Sequence, residues 1–274
     1  MKARFQLRKL GLLRRLSNQN FIRDACQNAY LGDHIALARV LGRYKMFLDT
    51  RDVAFAPHML TDGYWEMAHT EVMARLVKKG MKAVDLGANL GYFTLIMAER
   101  VGASGAVHAF EPNPHIAKLL RDTVEINSFA RRTVVHEIAL SNANGEIDFF
   151  IDPSRPMNAT VHPRPGHEEV KVPTARFDEI ADLEDCDFVK IDVEGAEEAV
   201  WAGMDKRIAN PRPLTVILEF TPGRYGDAGA FIDTFEHQGF SLSYIHRWRG
   251  IVATSKSEIL AKPGDVDQLL VLQR

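Results

Sequence analysis

Val84-Asp85-Leu86-Gly87-Ala88-Asn89-Leu90-Gly91-Tyr92-Phe93-Thr94 carries an apolar β-type run into a glycine turn and out into a helical stretch. A strand that feeds a helix through such a turn is the repeating joint of an open α/β sheet, and ligands bind in the crevice outside the carboxyl ends of its strands. Gly87 and Gly91 are expected to let the backbone pass close under a ligand where a Cβ would collide. Their spacing is GxxxG and lacks the further glycine of GxGxxG, whose helix N-terminus receives a pyrophosphate. Asp85, two residues before Gly87, would repel a phosphate and attract a cation. The turn therefore favours a ligand without a diphosphate.

Working outward, short apolar runs alternate with helical stretches from residue 80 onward, the pattern of a parallel sheet covered on both faces. Ala83 to Gly87 is the first expected strand, Ala106 to Phe110 the second, Thr133 to Leu140 the third, Phe188 to Val193 the fourth and Leu214 to Phe220 the fifth. Glu111 closes the second strand, where an acid accepts hydrogen bonds from ribose hydroxyls. Ala139 and Leu140 end the third and would wall the crevice, although packing alone would explain them equally well. Asp192 and Glu194 lie two apart at the end of the fourth, on one face if the strand continues. Glu197 reads instead as an acid at a helix start, stabilised by the helix dipole. Between the third and fourth strands, Ile147 to Ile151 and Val170 to Val172 flank a loop with Pro153, Pro156, Pro163 and Pro165, an insertion placed like a substrate-facing flap. Phe240 to His246 and Leu269 to Gln273 follow one another without a recognisable helix between them, so an antiparallel hairpin is expected at the C-terminus.

Upstream, residues 1–16 hold Lys2, Arg4, Arg8, Lys9, Arg14 and Arg15 without an acid, interleaved with leucines. A helix docking its leucines on the body is the commoner reading of such a stretch; contact with an anionic membrane surface is the alternative. Helical spacing continues over residues 20–49. The expected organisation is an N-terminal helical extension over 1–52 and an α/β domain over 53–274.

Composition narrows the classes. Across 274 residues, 46% are hydrophobic and 26% charged, an ordinary globular balance. Lys plus Arg number 34 against 36 Asp plus Glu, a net charge of -2, so no global basic field exists and nucleic acid is not an expected partner. Cys26 and Cys186 form no disulfide framework or zinc pattern. No apolar run approaches the ~20 residues that span a bilayer, and none looks like a signal peptide, so a cytoplasmic location is expected.

The run VDLGANLGYFT (84–94), then FEPNP (110–114), IAL (138–140) and KIDVEGAE (190–197), resembles the FkbM-type family of S-adenosylmethionine-dependent methyltransferases over about residues 60–274. Asp62-Gly63-Tyr64-Trp65-Glu66 resembles the short segment that precedes the core in that family. The resemblance implies a class I, Rossmann-like, doubly wound and mostly parallel seven-stranded sheet with a C-terminal antiparallel hairpin. It implies that Asp85, Gly87, Ala88, Asn89 and Gly91 surround the methionine part of the cofactor, Glu111 holds the ribose, Ala139 lies near the adenine and Asp192 faces the transferred methyl. S-adenosylhomocysteine would be the product. Family members methylate hydroxyls, often on sugars or natural products, so the implied partner is a small hydroxyl acceptor, including a glycan or a lipid-linked sugar.

An alcohol becomes a good nucleophile only as its proton leaves, which calls for a general base or a metal. Asp192 and Glu194 are the candidates for the base. Glu219 could pair with Asp192 around Mg²⁺, but two acids fall short of an octahedral set, so a metal is not favoured. His58, His69, His136 and His246 have no discriminating neighbour in sequence and are left outside the site. A nicotinamide oxidoreductase on a related sheet and a non-catalytic methyltransferase-like module are the alternatives; Asp85 and the missing glycine argue against the first, the complete cofactor set against the second. The oligomeric state is not legible.

Overall fold

The computed structural model describes residues 5–161, 163 and 165–274, so Lys2 and Arg4 of the basic stretch lie outside the described residues. Along the chain, helix α1 (Arg15–Ala25) leads into strands β1 (Asn28–Gly32), β2 (Ile35–Val40) and β3 (Tyr44–Asp49), then helices α2 (Phe55–Thr61) and α3 (Met67–Leu76). The sheet region begins with β4 (Lys82–Leu86), α4 (Tyr92–Val101), β5 (Ala106–Phe110), α5 (Pro114–Ile126) and β6 (Thr133–His136). An insertion follows, made of β7 (Ala139–Ser141), β8 (Gly145–Asp152), β9 (Arg155–Thr160) and β10 (Glu168–Arg176). The chain then returns through β11 (Phe188–Ile191), α6 (Glu197–Ala202), α7 (Asp205–Ala209), β12 (Thr215–Phe220) and α8 (Ala228–His237). It closes with β13 (Ser241–His246), β14 (Gly250–Ala253), α9 (Lys256–Leu260) and β15 (Gln268–Gln273).

The central sheet has the order β14-β13-β15-β12-β11-β4-β5-β6. β12, β11, β4, β5 and β6 run parallel, and β15 enters antiparallel between β12 and β13. This is the expected doubly wound sheet, with eight strands in place of seven. The extra strand is β14, four residues long and antiparallel to β13, and the short helix α9 lies within the C-terminal hairpin. α9 starts with a reciprocal capping box between Ser255 and Glu258.

Alternation along these strands feeds two cores. Ala83, Ile217 and Val271 enter the cluster built with Val72 of α3, Ile96 of α4 and Leu120 of α5. Val84, Leu86, Val216, Leu218, Leu270 and Leu272 enter the other, with Val200 of α6, Ile208 of α7 and Phe235 of α8. Side chains of period two on a sheet covered by helices on both faces leave few polar positions within the strands, which is why these runs are mostly apolar, with Asp85 and Lys190 as buried charged exceptions.

Two expectations change. Residues 28–49, for which helix was expected, form the antiparallel sheet β1-β2-β3. The apolar residues of β2 do match a helical spacing, but Asp33 and His34 (φ 47 and 62) and Leu41 and Gly42 (φ 51 and 62) supply two tight turns with paired left-handed residues. Such turns return a strand on itself, and Ala36, Ala38 and Val40 then fall on one buried face. β3 docks on α5, where Thr123 Oγ1 accepts from the Phe47 N–H (3.1 Å) and Asn127 Oδ1 from the Lys45 N–H (3.0 Å). Secondly, the third expected strand divides. β6 stays in the central sheet, whereas β7, which holds Ala139, joins a separate sheet of order β7-β10-β8-β9 that stands over the crevice.

Candidate functional site

A cleft of ≈ 930 Å³ opens at the carboxyl ends of β4, β5, β11 and β12, beneath β8 and β9 of the second sheet. Gly87, Ala88, Asn89, Glu111, Ala139, Asp192 and Glu194 all line it. Asp85 and Gly91 are not among the lining residues; they lie behind the cleft surface.

The turn after β4 is built by backbone bonds. The N–H groups of Gly87 and Ala88 donate to the Phe110 carbonyl at the end of β5 (3.1 and 3.0 Å). Asn89 then takes a left-handed conformation (φ 51), and Gly91 (φ 95) caps α4. A Cβ on Gly87 would overlap the carbonyl oxygen of Asp192, and one on Gly91 would stand 2.5 Å from Leu120 Cδ1. Gly87 is therefore required by the protein's own backbone packing, while Gly91 is favoured mainly by its positive φ, with Leu120 having to move aside for any Cβ.

Glu111 is buried, yet faces the cleft. Its Oε2 accepts from the Asn89 N–H and its Oε1 from the Asn113 N–H, both at 2.9 Å. Burial pushes the carboxyl up to about 7 against the pull of those two donors and of Lys190. A carboxylate has about four lone-pair sites, so each oxygen keeps one for a ligand hydroxyl.

Asp85 lies beneath the floor. It is fully buried, accepts from Thr94 Oγ1 at 2.6 Å through Oδ2, and presents Oδ1 to Lys190 Nζ at 3.5 Å. Burial raises its pKa, with Lys190 and Thr94 opposing. The expected cation next to Asp85 is thus internal. Parallel register sets Lys190 of β11 beside Asp85 of β4, and Nζ reaches Gly87 O (3.2 Å) and Asp192 Oδ2 (3.1 Å) as well. Burial alone would lower the lysine's pKa; Asp192 and Asp85 more than reverse that. Lys190 lines the cleft and was missed in the sequence, although a lysine two residues before Asp192 in a buried strand shares that acid's face.

β11 ends at Ile191, earlier than expected, and the chain turns through left-handed Glu194 (φ 54) and Gly195 (φ 104). Asp192, Glu194 and Glu219 nevertheless meet, with one carboxylate oxygen of each within 4.8 Å of the others. The sequence pair therefore has a third acid that could share a divalent cation. Two resident cations already face this cluster. Lys190 holds Asp192, and Arg224 pairs with Glu194 (3.0 Å), Glu219 (3.2 Å) and Asp267 (3.8 Å). Burial and the neighbouring acids lift Glu219 well above the usual carboxylate range. Glu197, as expected, belongs to the helix start: it is fully buried and accepts from the Val193 and Gly195 N–H groups and from Tyr225 Oη.

The opposite wall carries Phe55, Trp65, Glu66 and Tyr92. Trp65 packs edge-on against Phe55, with ring centroids 5.2 Å apart. Glu66 sits at φ 35 as the N-cap of α3, and its carboxylate meets His69 Nδ1 at 3.2 Å. Among the described residues no histidine lines the cleft, while eight carboxylates and two lysines do. Glu66, Glu146, Asp148 and Asp267 were not legible as partners of the other four acids because the eight come from six separate stretches of chain.

The family profile described as "Methyltransferase FkbM domain" matches residues 85–242. The tRNA wybutosine-synthesizing protein 2 homolog of Rattus norvegicus is 39% identical over 87 residues, which are 30% of this chain and 20% of that protein, so the match spans a fifth of the relative's length. Methyltransferase 1 of Beauveria bassiana is 28% identical over 187 residues, covering 58% of this chain and 72% of that one. Among solved structures, M. jannaschii TYW2 in complex with AdoMet superposes with a TM-score of 0.51 at 12% identity, covering 89% of this chain and 88% of that chain, a likeness of fold.

Proposed function

The chain belongs to the FkbM methyltransferase family, and from that premise we propose that it transfers the methyl group of S-adenosylmethionine to a hydroxyl of a small acceptor, a sugar or natural-product-like molecule. The observation that carries this reading is the meeting of Asp192, Glu194 and Glu219 in the same cleft as the half-satisfied Glu111 carboxyl. S-adenosylmethionine brings a methyl already activated on a sulfonium, so what remains for the protein is alignment and removal of the acceptor's proton.

Glu111 would hold the ribose hydroxyls through its two remaining lone pairs, the turn Gly87–Asn89 would lie along the methionine part and Ala139 beside the adenine. Asp192 Oδ2 is engaged by Lys190, and Oδ1 is the oxygen that would take the acceptor's proton. Glu194, tethered to Arg224, would orient the acceptor. Lys190 and Arg224 already balance the negative charge of this cluster, so a metal remains outside the proposed machinery, and a chelator is expected to leave turnover unchanged. The acidic lining also bears on the acceptor: a polyanion such as a phosphodiester chain would be repelled, which favours a neutral polyol over RNA.

Calorimetric titration with S-adenosylmethionine, S-adenosylhomocysteine and NAD, followed by a mass-spectrometric screen of hydroxyl acceptors with wild-type and Asp192→Asn protein, tests the reading. Micromolar binding of the first two, with turnover lowered roughly 10²- to 10⁴-fold in the variant, is the expected result. Unchanged turnover in Asp192→Asn removes that residue from catalysis; binding of NAD alone overturns the donor assignment, and binding of none of the three favours a non-catalytic module.

A further inference from the structure

At the other end of α3 from the cleft the charge reverses. Arg8, Arg75, Lys78, Arg100 and Arg249 line a groove of ≈ 250 Å³. None of the five has a carboxylate within ion-pair distance among the described residues, and Glu71, the acid of the groove, is committed to Arg15. Helix α3 connects the two places: its N-cap Glu66 lines the cleft and Arg75 in its last turn lines the groove, roughly 15 Å apart for ten residues.

Beside the groove, two parts of the chain distant in sequence are tied together. Arg15 donates to the Arg247 carbonyl in the turn between β13 and β14, and its guanidinium lies 5.3 Å from the Trp248 ring centroid. This brings Arg14, Arg247 and Arg249, all exposed, next to unusually bare apolar side chains. Leu13 is 101% exposed, Leu16 68% and Trp248 51%. The commoner reading of the N-terminal stretch, leucines docked on the body, thus holds for Leu7 (4% exposed) and fails for Leu13 and Leu16.

We propose that this face docks on an anionic bilayer. Arginines and a lysine without a carboxylate partner are drawn to acidic headgroups, exposed leucines on one side of a short amphipathic segment insert at the acyl boundary, and a half-exposed tryptophan whose ring is flanked by Arg15 and Arg247 suits the interface. RNA would share the attraction to the cations, but fully bared aliphatic side chains gain nothing from a phosphate backbone, and the cleft across α3 is lined with carboxylates. The docking face stands independently of the reaction assigned to the cleft. If that reaction is hydroxyl methylation, docking would concentrate the enzyme where lipid-borne acceptors lie.

Co-sedimentation of the full chain with vesicles tests this, comparing phosphatidylcholine alone with phosphatidylcholine containing phosphatidylglycerol. Binding is expected only to the anionic vesicles, weakening by roughly tenfold or more as salt rises toward 0.5 M. Arg75→Glu with Arg249→Glu should abolish it, and Leu13→Ser with Leu16→Ser should weaken it several-fold. Both pairs should keep the wild-type circular dichroism and cofactor titration, which separates loss of docking from loss of fold. A blue shift of tryptophan emission on anionic vesicles should disappear in Trp248→Phe. Equal binding to neutral vesicles, no vesicle binding at all, or binding indifferent to both variant pairs would overturn the proposal. So would capture of a transfer-RNA-sized RNA at tighter affinity than the vesicles, with the same loss in the arginine variants.

Discussion

Burial lifts the Glu111 carboxyl to about 7, so near neutrality the unliganded protein holds it partly protonated. Ribose hydroxyls donating to it would favour the charged form, and cofactor binding near pH 6 should therefore release up to about one proton. The dissociation constant is expected to fall roughly tenfold per unit as pH rises from 5 toward 7 and to level off above. Calorimetry in two buffers of different ionisation enthalpy reads both effects, and Glu111→Gln should remove both while weakening binding. Stability of the unliganded protein moves the other way. A carboxyl raised from 4.5 contributes stability that is full below that value and lost as pH rises through about 7, worth on the order of 3 kcal/mol for so buried a group. Urea titrations of Glu111→Gln should show that pH slope flattened; a slope equal to wild type would mean that Glu111 does not titrate in this range. The sequence made Glu111 legible because a strand-closing acid has a fixed place in such sheets. It could not tell that Asp85, just as well placed, would be buried beneath the cleft beside Lys190, since that depends on which residue the neighbouring strand sets beside it.

At the scale of elements, that neighbour is Lys190, and the pair β4–β11 depends on it. Lys190→Met would leave Asp85 buried without its counter-charge, and a destabilisation of about 3 to 5 kcal/mol is expected in urea unfolding. Lys190→Met combined with Asp85→Asn should recover most of it; a double variant no more stable than the single one would show that Lys190 acts through packing instead. β4, β5, β11 and β12 were readable because strands buried on both faces are predominantly apolar, each of these runs being broken by few charged or polar residues. β1 to β3 were not, because a helix and a hairpin can place the same few apolar residues inward, and left-handed Asp33, His34 and Leu41 carry no sequence mark as clear as Asn-Gly. β14, four residues with an exposed end, offered too little pattern. β7 was hidden in what looked like the end of β6, and the division became visible only through its pairing with β10.

On the scale of the whole molecule, the N-terminal extension is not an appendage. Phe5, Ile22, Ala38, Val40 and Met46 belong to the same core as Ile96 and Leu120. Removal of residues 1–52 should therefore expose one face of the α/β domain and leave it unable to fold, while the full chain unfolds in one transition by circular dichroism and fluorescence. A stably folded 53–274 fragment would show the extension to be separable. A net charge of -2 likewise conceals an acidic cleft and a basic groove at the two ends of α3, because composition sums what folding separates. The hollow at Gly87 has a consequence of the same global kind. The Asp192 carbonyl fills it, so the loop that would carry the donor and the strand end that would deprotonate the acceptor are keyed together like two jaws cut from one piece. On that reading the gap between the reacting partners would be a fixed gauge of the scaffold, set before either arrives. If the chain works as proposed, acceptors would be chosen by whether they can reach across that gauge, and an enlarged flap would broaden what enters without altering how far the methyl must travel.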